Sequence, residues 1–165
     1  MASPSGKSRS RNLDFEECLR TRKIIFFPRA KKLAPKEMMA AREDLDEARD
    51  RLGHGKFKYA TINSYYAVFH TISAVLMTKK ITCSSHKETI GAFNKEFIKP
   101  GIFPKSFTRT IQKLFNERQT GDYDIGGYIG VDIAEEDIVE VEKIIENCEI
   151  YLSGFYKVPQ EYWKE

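Results

Sequence analysis

The sequence predicts an all-α fold: an antiparallel up-and-down bundle of four main helices with short extra N-terminal and C-terminal elements. Three observations carry this. The ten Gly and six Pro cluster in a few places and leave long uninterrupted segments. Apolar residues recur at three- and four-residue spacing within those segments. No segment alternates with period two for long enough to form a convincing strand. At 165 residues the chain has the size of one ordinary domain, which buries about 70% of its unfolded surface.

The elements follow in order. Residues 1–12 are polar and basic and are expected to form a disordered leader. Leu13–Arg22 is read as a short helix with Phe15, Cys18 and Leu19 on one side, and Ile24–Phe27 as a brief apolar run stopped by Pro28. The first main helix is expected over Pro35–Leu52, with Pro35 in the first turn, where no amide partner is lost. Met38, Ala41, Leu45, Ala48 and Leu52 form its stripe, and Gly53 and Gly55 end it. The second helix spans Lys56–Lys79. Ile62, Tyr66, Phe69, Ile72 and Leu76 form its stripe, and Ala60, Ser64, Ala67 and Ala74 a small-residue face.

Ser85-His86-Lys87-Glu88 fits a capping box and opens a third helix, closed by the Pro100-Gly101 turn. A fourth begins near Pro104, carries Phe107, Ile111, Leu114 and Phe115 inward, and is expected to end at Gly121. Asp124–Gly130 is a glycine-rich loop. Asp132-x-x-Glu135 is expected to cap the last helix, whose stripe is Ala134, Ile138, Val141, Ile145, Cys148 and Leu152. The domain is therefore drawn over residues 13–154, with residues 155–165 a C-terminal extension that packs on it.

Several function classes fall away. Charged residues are 31% of the chain, too many for a membrane protein, and the uncharged stretch Tyr59–Met77 holds six polar groups, a poor bilayer segment. Three cysteines, far apart and without a CxxC, fit neither a disulfide framework nor a zinc site and point to a reducing, cytoplasmic setting. His54, His70 and His86 lack paired-ligand spacing, so no metal is expected. Gly126-Gly127-x-x-Gly130 lacks the phosphate-loop lysine and a preceding strand, and no cofactor is implied. A net charge of +3 is too small to mark a nucleic-acid binder. The charge is nonetheless uneven: +6 over Met1–Lys32, +8 over Lys56–Arg118 and −7 over Asp132–Glu149. Either these are solvated helix faces, or a basic surface serves phosphates and an acidic helix serves a basic partner.

Two constellations stand out. Arg118 continues the apolar stripe Ile111, Leu114, Phe115, and a guanidinium among apolar neighbours needs a partner. Asp122 could close a local ion pair with it. Alternatively Arg118 is presented to a phosphate with Asp122 and Tyr123 beside it. The second constellation is Tyr65-Tyr66 with Phe69-His70: helical spacing puts Tyr66 and His70 on one face and Asn63 a turn before. Buried, these would simply be satisfied core groups.

The run Ala41-Arg42-Glu43-Asp44-Leu45-Asp46-Glu47-Ala48, then Ala60 and Ser64-Tyr65-Tyr66-Ala67-Val68-Phe69-His70, then Ser85-His86-Lys87, then Arg118-x-x-x-Asp122-Tyr123, resembles HEPN-domain proteins, closest to their small stand-alone prokaryotic group. The resemblance covers roughly Asp14–Leu152 and includes Phe15-x-x-Cys18-Leu19. It implies a homodimeric helical bundle, partnered with a minimal nucleotidyltransferase in a toxin–antitoxin-type module, that meets nucleotide or RNA rather than DNA or membrane. Active family members are metal-independent ribonucleases with an Arg-x4–6-His signature, whose Arg and His face their mates across the dimer. Here Arg118 and Gln119 match its start, but Tyr123 stands at the first histidine position and no histidine follows His86. A phenol near pKa 10 is a poor proton carrier at neutral pH.

The leading expectation is therefore phosphate binding by Arg118, with Asp122, Tyr123, Asn63, Tyr66 and His70 around it. The rivals are an endoribonuclease in which Arg118 stabilises charge and Tyr123, or a remote His70 or His86, handles protons, and a non-catalytic dimerisation protein.

Overall fold

The computed structural model describes residues 24–26, 30–123 and 129–164, with side chains for residues 32–119 and 129–164. The leader, the Leu13–Arg22 segment and most of the glycine-rich loop lie outside the described residues. In chain order the elements are β1 (Ile24–Phe26), α1 (Ala30–Gly53), α2 (Phe57–Met77), β2 (Ile81–Cys83), α3 (His86–Phe93), α4 (Lys105–Tyr123) and α5 (Val131–Tyr156). A single π-helical turn, Asn94–Ile98, prolongs α3, and a 3-10 turn, Gln160–Trp163, follows α5. The fold is all-α, and α2 is its centre: it packs against α1, α3, α4 and α5.

The predicted stripes face the core. Met38, Ala41, Leu45 and Ala48 of α1, Phe107, Ile111 and Leu114 of α4, and all six stripe residues of α5 are buried. Ser85 caps α3, its hydroxyl accepting from the Glu88 amide at 3.2 Å. The connection ahead of α4 turns at Gly101, whose φ of +85° is open to glycine at little steric cost. The tail packs as well: Trp163 is 5% exposed and donates its indole N–H to Ser153 Oγ at 2.9 Å.

Five local expectations are corrected. A small antiparallel ribbon exists, pairing Ile24 with Cys83, Ile25 with Thr82 and Phe26 with Ile81; three residues per strand are too few to show a period. α1 begins at Ala30, so Pro35 lies inside it. One intrahelical bond is lost there, while Ala34 and Met38, both buried, hold the turn to the core. α4 continues through Gly121 to Tyr123, since a helical glycine costs only about 1 kcal/mol relative to alanine. α5 is preceded by Gly130 with no side-chain cap, and Asp132 instead sits in the first turn, where its charge suits the helix dipole.

The fifth correction concerns the phase of α2. Ile72 and Leu76 are buried, but Ile62, Tyr66 and Phe69 are only half-buried. Tyr65 is the tyrosine that enters the core, at 0% exposure. With Tyr59, Asn63 and His70, these half-buried residues make one partly open face on an otherwise enclosed helix.

Charge also ties the bundle together. Arg42 of α1 pairs with the buried Glu149 of α5, and Arg49 with Glu142, its Nε donating at 3.2 Å. The buried Asp137 of α5 accepts from Thr61 Oγ1 of α2 at 2.8 Å and lies 3.3 Å from Lys113 Nζ of α4. Much of the acidic charge of α5 is thus spent on internal pairs.

Candidate functional site

The open face of α2 meets the C-terminal half of α4 and the start of α3. Helical phase puts Arg118 one turn beyond Leu114 and Phe115, where the core stripe reaches the surface. Its Nη2 donates to the Tyr66 hydroxyl at 3.0 Å. Its Cζ lies 5.7 Å from the centre of the Tyr65 ring and 5.6 Å from that of Tyr66, within the range of cation–π attraction. The guanidinium rests on two aromatic rings and is half-buried.

The ribbon delivers the next residue. β2 ends at Cys83, and His86 opens α3 directly behind the Ser85 cap. Its Nδ1 is 2.7 Å from the Tyr65 hydroxyl. Its ring stacks on Phe69 at 4.1 Å and 11° and meets Tyr66 edge-on at 5.9 Å. Tyr65 is further enclosed by Phe115 at 5.9 Å. Arg118 and His86 therefore stand on the same pair of tyrosines, although 32 residues separate them in the chain.

A third group continues along the face. Phe69 meets His70 edge-on at 5.8 Å. His70 Nδ1 is 2.7 Å from Glu37 Oε2, and its Nε2 is 3.6 Å from Asp44 Oδ2. Asn63 donates to Asp44 Oδ1 at 3.1 Å. Both partners belong to α1, so this end of the face is pinned by carboxylates rather than aimed at Arg118.

The two histidines are driven apart electrostatically. Burial first, then the charges of Arg118 and His70, push His86 below the ordinary histidine value. The N-terminus of α3 acts in the same sense. The hydrogen bond from Glu37 raises His70 against the opposing effect of burial, with the charges of Glu37 and Asp44 adding to the rise. His86 is held neutral while His70 takes a proton readily. Burial raises the Tyr65 phenol, which therefore stays protonated. Beside Arg118, burial and then Asp137 lift Glu117 to about 8.

Of the six residues singled out in the sequence, the structure joins Arg118 and Tyr66 directly. It places Asn63 and His70 on the same helix face but bonds them to α1. The side chains of Asp122 and Tyr123 lie outside the described residues. Sequence reasoning put His86 at a distance, which the fold corrects, and it gave Tyr65 and Phe69 only packing roles. It missed Glu37 and Asp44 as partners of His70. A surface groove of about 370 Å³ is lined by Glu47, Arg51, Lys56, Tyr59 and Asn63; it shares Asn63 with the face but touches neither Arg118 nor His86. Among the described residues no three His, Cys, Asp or Glu side chains are grouped to hold a metal ion. Nor is any described helix long and apolar enough to cross a membrane.

Fold and site together define an all-α bundle with an arginine–tyrosine–histidine cluster on the one open face of its central helix. The chain belongs to the HEPN domain family, whose model matches residues 37–151. It is 39% identical over 83 residues to a Thermotoga maritima protein named "UPF0332 protein", covering 50% of this chain and 63% of that one. It is 32% identical over 108 residues to "Putative toxin MJ0142" of Methanocaldococcus jannaschii, covering 65% and 69%. A second protein of that organism, "Putative toxin MJ0605", is 29% identical over 121 residues, covering 73% and 84%.

Proposed function

We propose that this protein binds nucleotide or RNA phosphate through Arg118. In this reading it forms one component of a toxin–antitoxin-type module with a minimal nucleotidyltransferase, and acts as a homodimer. The observation that carries the reading is the seat of Arg118. A guanidinium oriented by Tyr66 and supported on two rings is a planar, permanently charged fork, the geometry that suits phosphate oxygens. The half-exposed rings along the same face offer surfaces on which bases stack, at about 1–3 kcal/mol per base. Two relatives that carry the word toxin in their names support the module, and the family supports the helical frame.

The experiment is a comparison of wild type with Arg118→Lys. Lysine keeps the charge but not the fork, so affinity for a labelled RNA oligonucleotide should fall several-fold while the helical circular dichroism signal stays unchanged. Equal affinities would remove the fork from the reading. Co-purification with a co-expressed minimal nucleotidyltransferase tests the partner.

A further inference from the structure

We propose that Glu117 and Asp137 are positioning residues for Arg118: they share one proton across the gap between α4 and α5, and phosphate binding by Arg118 requires that proton. The proposal rests on the phosphate-binding reading of Arg118 and adds how that site is set and switched off.

The geometry begins with an excess of carboxylates. Asp137 of α5 is fully buried and accepts from the Thr61 hydroxyl of α2 at 2.8 Å. Glu117, next to Arg118 on α4, reaches the same place, its carboxyl in hydrogen-bonding contact with that of Asp137. Glu136 and Glu140 stand beside them. The ammonium set among these groups is Lys113, its Nζ 3.3 Å from Asp137 Oδ1, 3.5 Å from Glu140 Oε2 and 3.6 Å from Glu136 Oε2.

An ionised carboxylate can only accept hydrogen bonds. Two of them in contact repel each other and leave an oxygen without a donor, and Glu117 Oε2 is buried with no hydrogen-bond partner among the described residues. One proton on the pair removes both penalties, because it cancels a charge and turns an acceptor into a donor. Thr61 and Lys113 already direct their protons at Asp137, which leaves the shared proton on Glu117. Burial, and then the Asp137 charge, hold it there up to about pH 8.

The helix links the pair to the site. Glu117 and Arg118 are consecutive, so their side chains leave α4 about 100° apart. Glu117 fastens this turn to α5 and, through Asp137 and Thr61, to α2. Arg118 fastens the same turn to Tyr66, which lies five residues beyond Thr61 on α2. Ionisation puts like charges in contact where water reaches poorly, which drives the turn outward and lifts the guanidinium from its rings. The new carboxylate also stands beside the arginine and opposes an incoming phosphate. Both effects weaken binding.

The groups facing the pair are Lys113 of α4, Glu136 and Glu140 of α5 and the Thr61 hydroxyl of α2, with Arg118 the neighbour in sequence. Against the opposing effect of burial, the charges of Asp137, Glu140 and Glu117 raise Lys113, so it stays charged throughout. Binding is therefore present while Glu117 keeps its proton and is lost as pH rises through the Glu117 value.

The test is a pH profile of affinity. The probe is a labelled 2′-O-methyl oligoadenylate, whose phosphodiesters and bases keep one charge state from pH 6.5 to pH 9.5. Wild-type affinity should fall about tenfold over that range. Glu117→Gln holds the pair in its proton-bearing form, since the amide donates where the acid did, and should flatten the fall to about twofold or less. His70 and His86 titrate in both proteins and cancel in the comparison. Asp137→Asn leaves one carboxyl beside an amide donor and should flatten the profile likewise if the glutamine variant folds poorly. A purely structural tie predicts changed stability with a profile as steep as that of wild type, and that outcome overturns the proposal. So does a wild-type affinity that is flat over the range. Either result leaves phosphate binding by Arg118 standing. No binding by wild type at any pH removes both.

Discussion

Arg118 of α4 and Tyr66 of α2 share a hydrogen bond of 3.0 Å across 52 residues of chain, with the guanidinium 5.6 Å from the ring centre. This single contact joins the two features that stand out in the sequence: an arginine on an apolar stripe and a tyrosine pair in the central helix. It also sets the orientation of the fork.

Tyr66→Phe keeps the ring and removes the acceptor. It should cost about 1 kcal/mol of unfolding free energy, read as a lower denaturant midpoint. A double-mutant cycle with Arg118→Ala should show coupling between the two sites, because they are in direct contact. An unchanged midpoint would mean that the hydroxyl contributes nothing to the folded state.

The long elements were legible because stripes such as Ala134–Leu152 and Met38–Leu52 repeat over many turns. The phase of α2 was not. A helix enclosed by four neighbours is apolar on most sides, and periodicity alone could not tell Tyr65 from Tyr66 as the buried ring. Arg118 was legible because it broke a pattern, being charged where an apolar residue was due. His86 was hidden for the opposite reason. It sits in a capping segment that already had a structural explanation, and only the pairing of β1 with β2 and the packing of α3 bring it to Tyr65. Carboxylate partners of His70 on another helix leave no local signature.

The Glu117–Asp137 neighbourhood makes stability fall as pH rises from about 4.5 to about 8. An unfolded glutamate loses its proton near 4.5, but the folded one holds it to about 8, chiefly through burial and then through Asp137. The folded state thus binds more protons between those values, and stability declines as pH rises through them, then levels. Thermal midpoints at pH 6 and pH 9 should show a smaller drop for Glu117→Gln than for wild type. An equal drop in both would place the titration elsewhere.

His70 adds a dependence of the same sign over a different window. Its proton is held more tightly in the fold, first by the hydrogen bond to Glu37. That stabilisation is complete below the ordinary value of 6.5 and disappears as pH rises through the raised one. Asp44, raised by burial, also favours the acidic side. His70→Gln should narrow the difference between urea midpoints at pH 5.5 and pH 8.5. A variant with the full wild-type difference would contradict the assignment.

A symmetric dimer that buries exposed residues of α4 should place Arg118 and its mate near one cleft. Light scattering at tens of micromolar should give twice the 19.1 kDa chain mass. A crosslinkable residue substituted at Gln112 or Asn116, both exposed on α4, should link two copies. A monomer at that concentration, or a dimer in which these positions stay uncrosslinked, would count against this arrangement.

The central claim is that Arg118 holds phosphate. The direct measurement is a titration of wild type and Arg118→Ala with labelled RNA and with ATP, each at two salt concentrations. Charge-assisted hydrogen bonds contribute roughly 1.5–3 kcal/mol, so the account predicts a loss of about ten- to hundred-fold in affinity. It also predicts a shallower salt dependence in the variant, with the bundle still folded. Equal affinities with only a change in stability would contradict it and return Arg118 to the role of a helix-end tie.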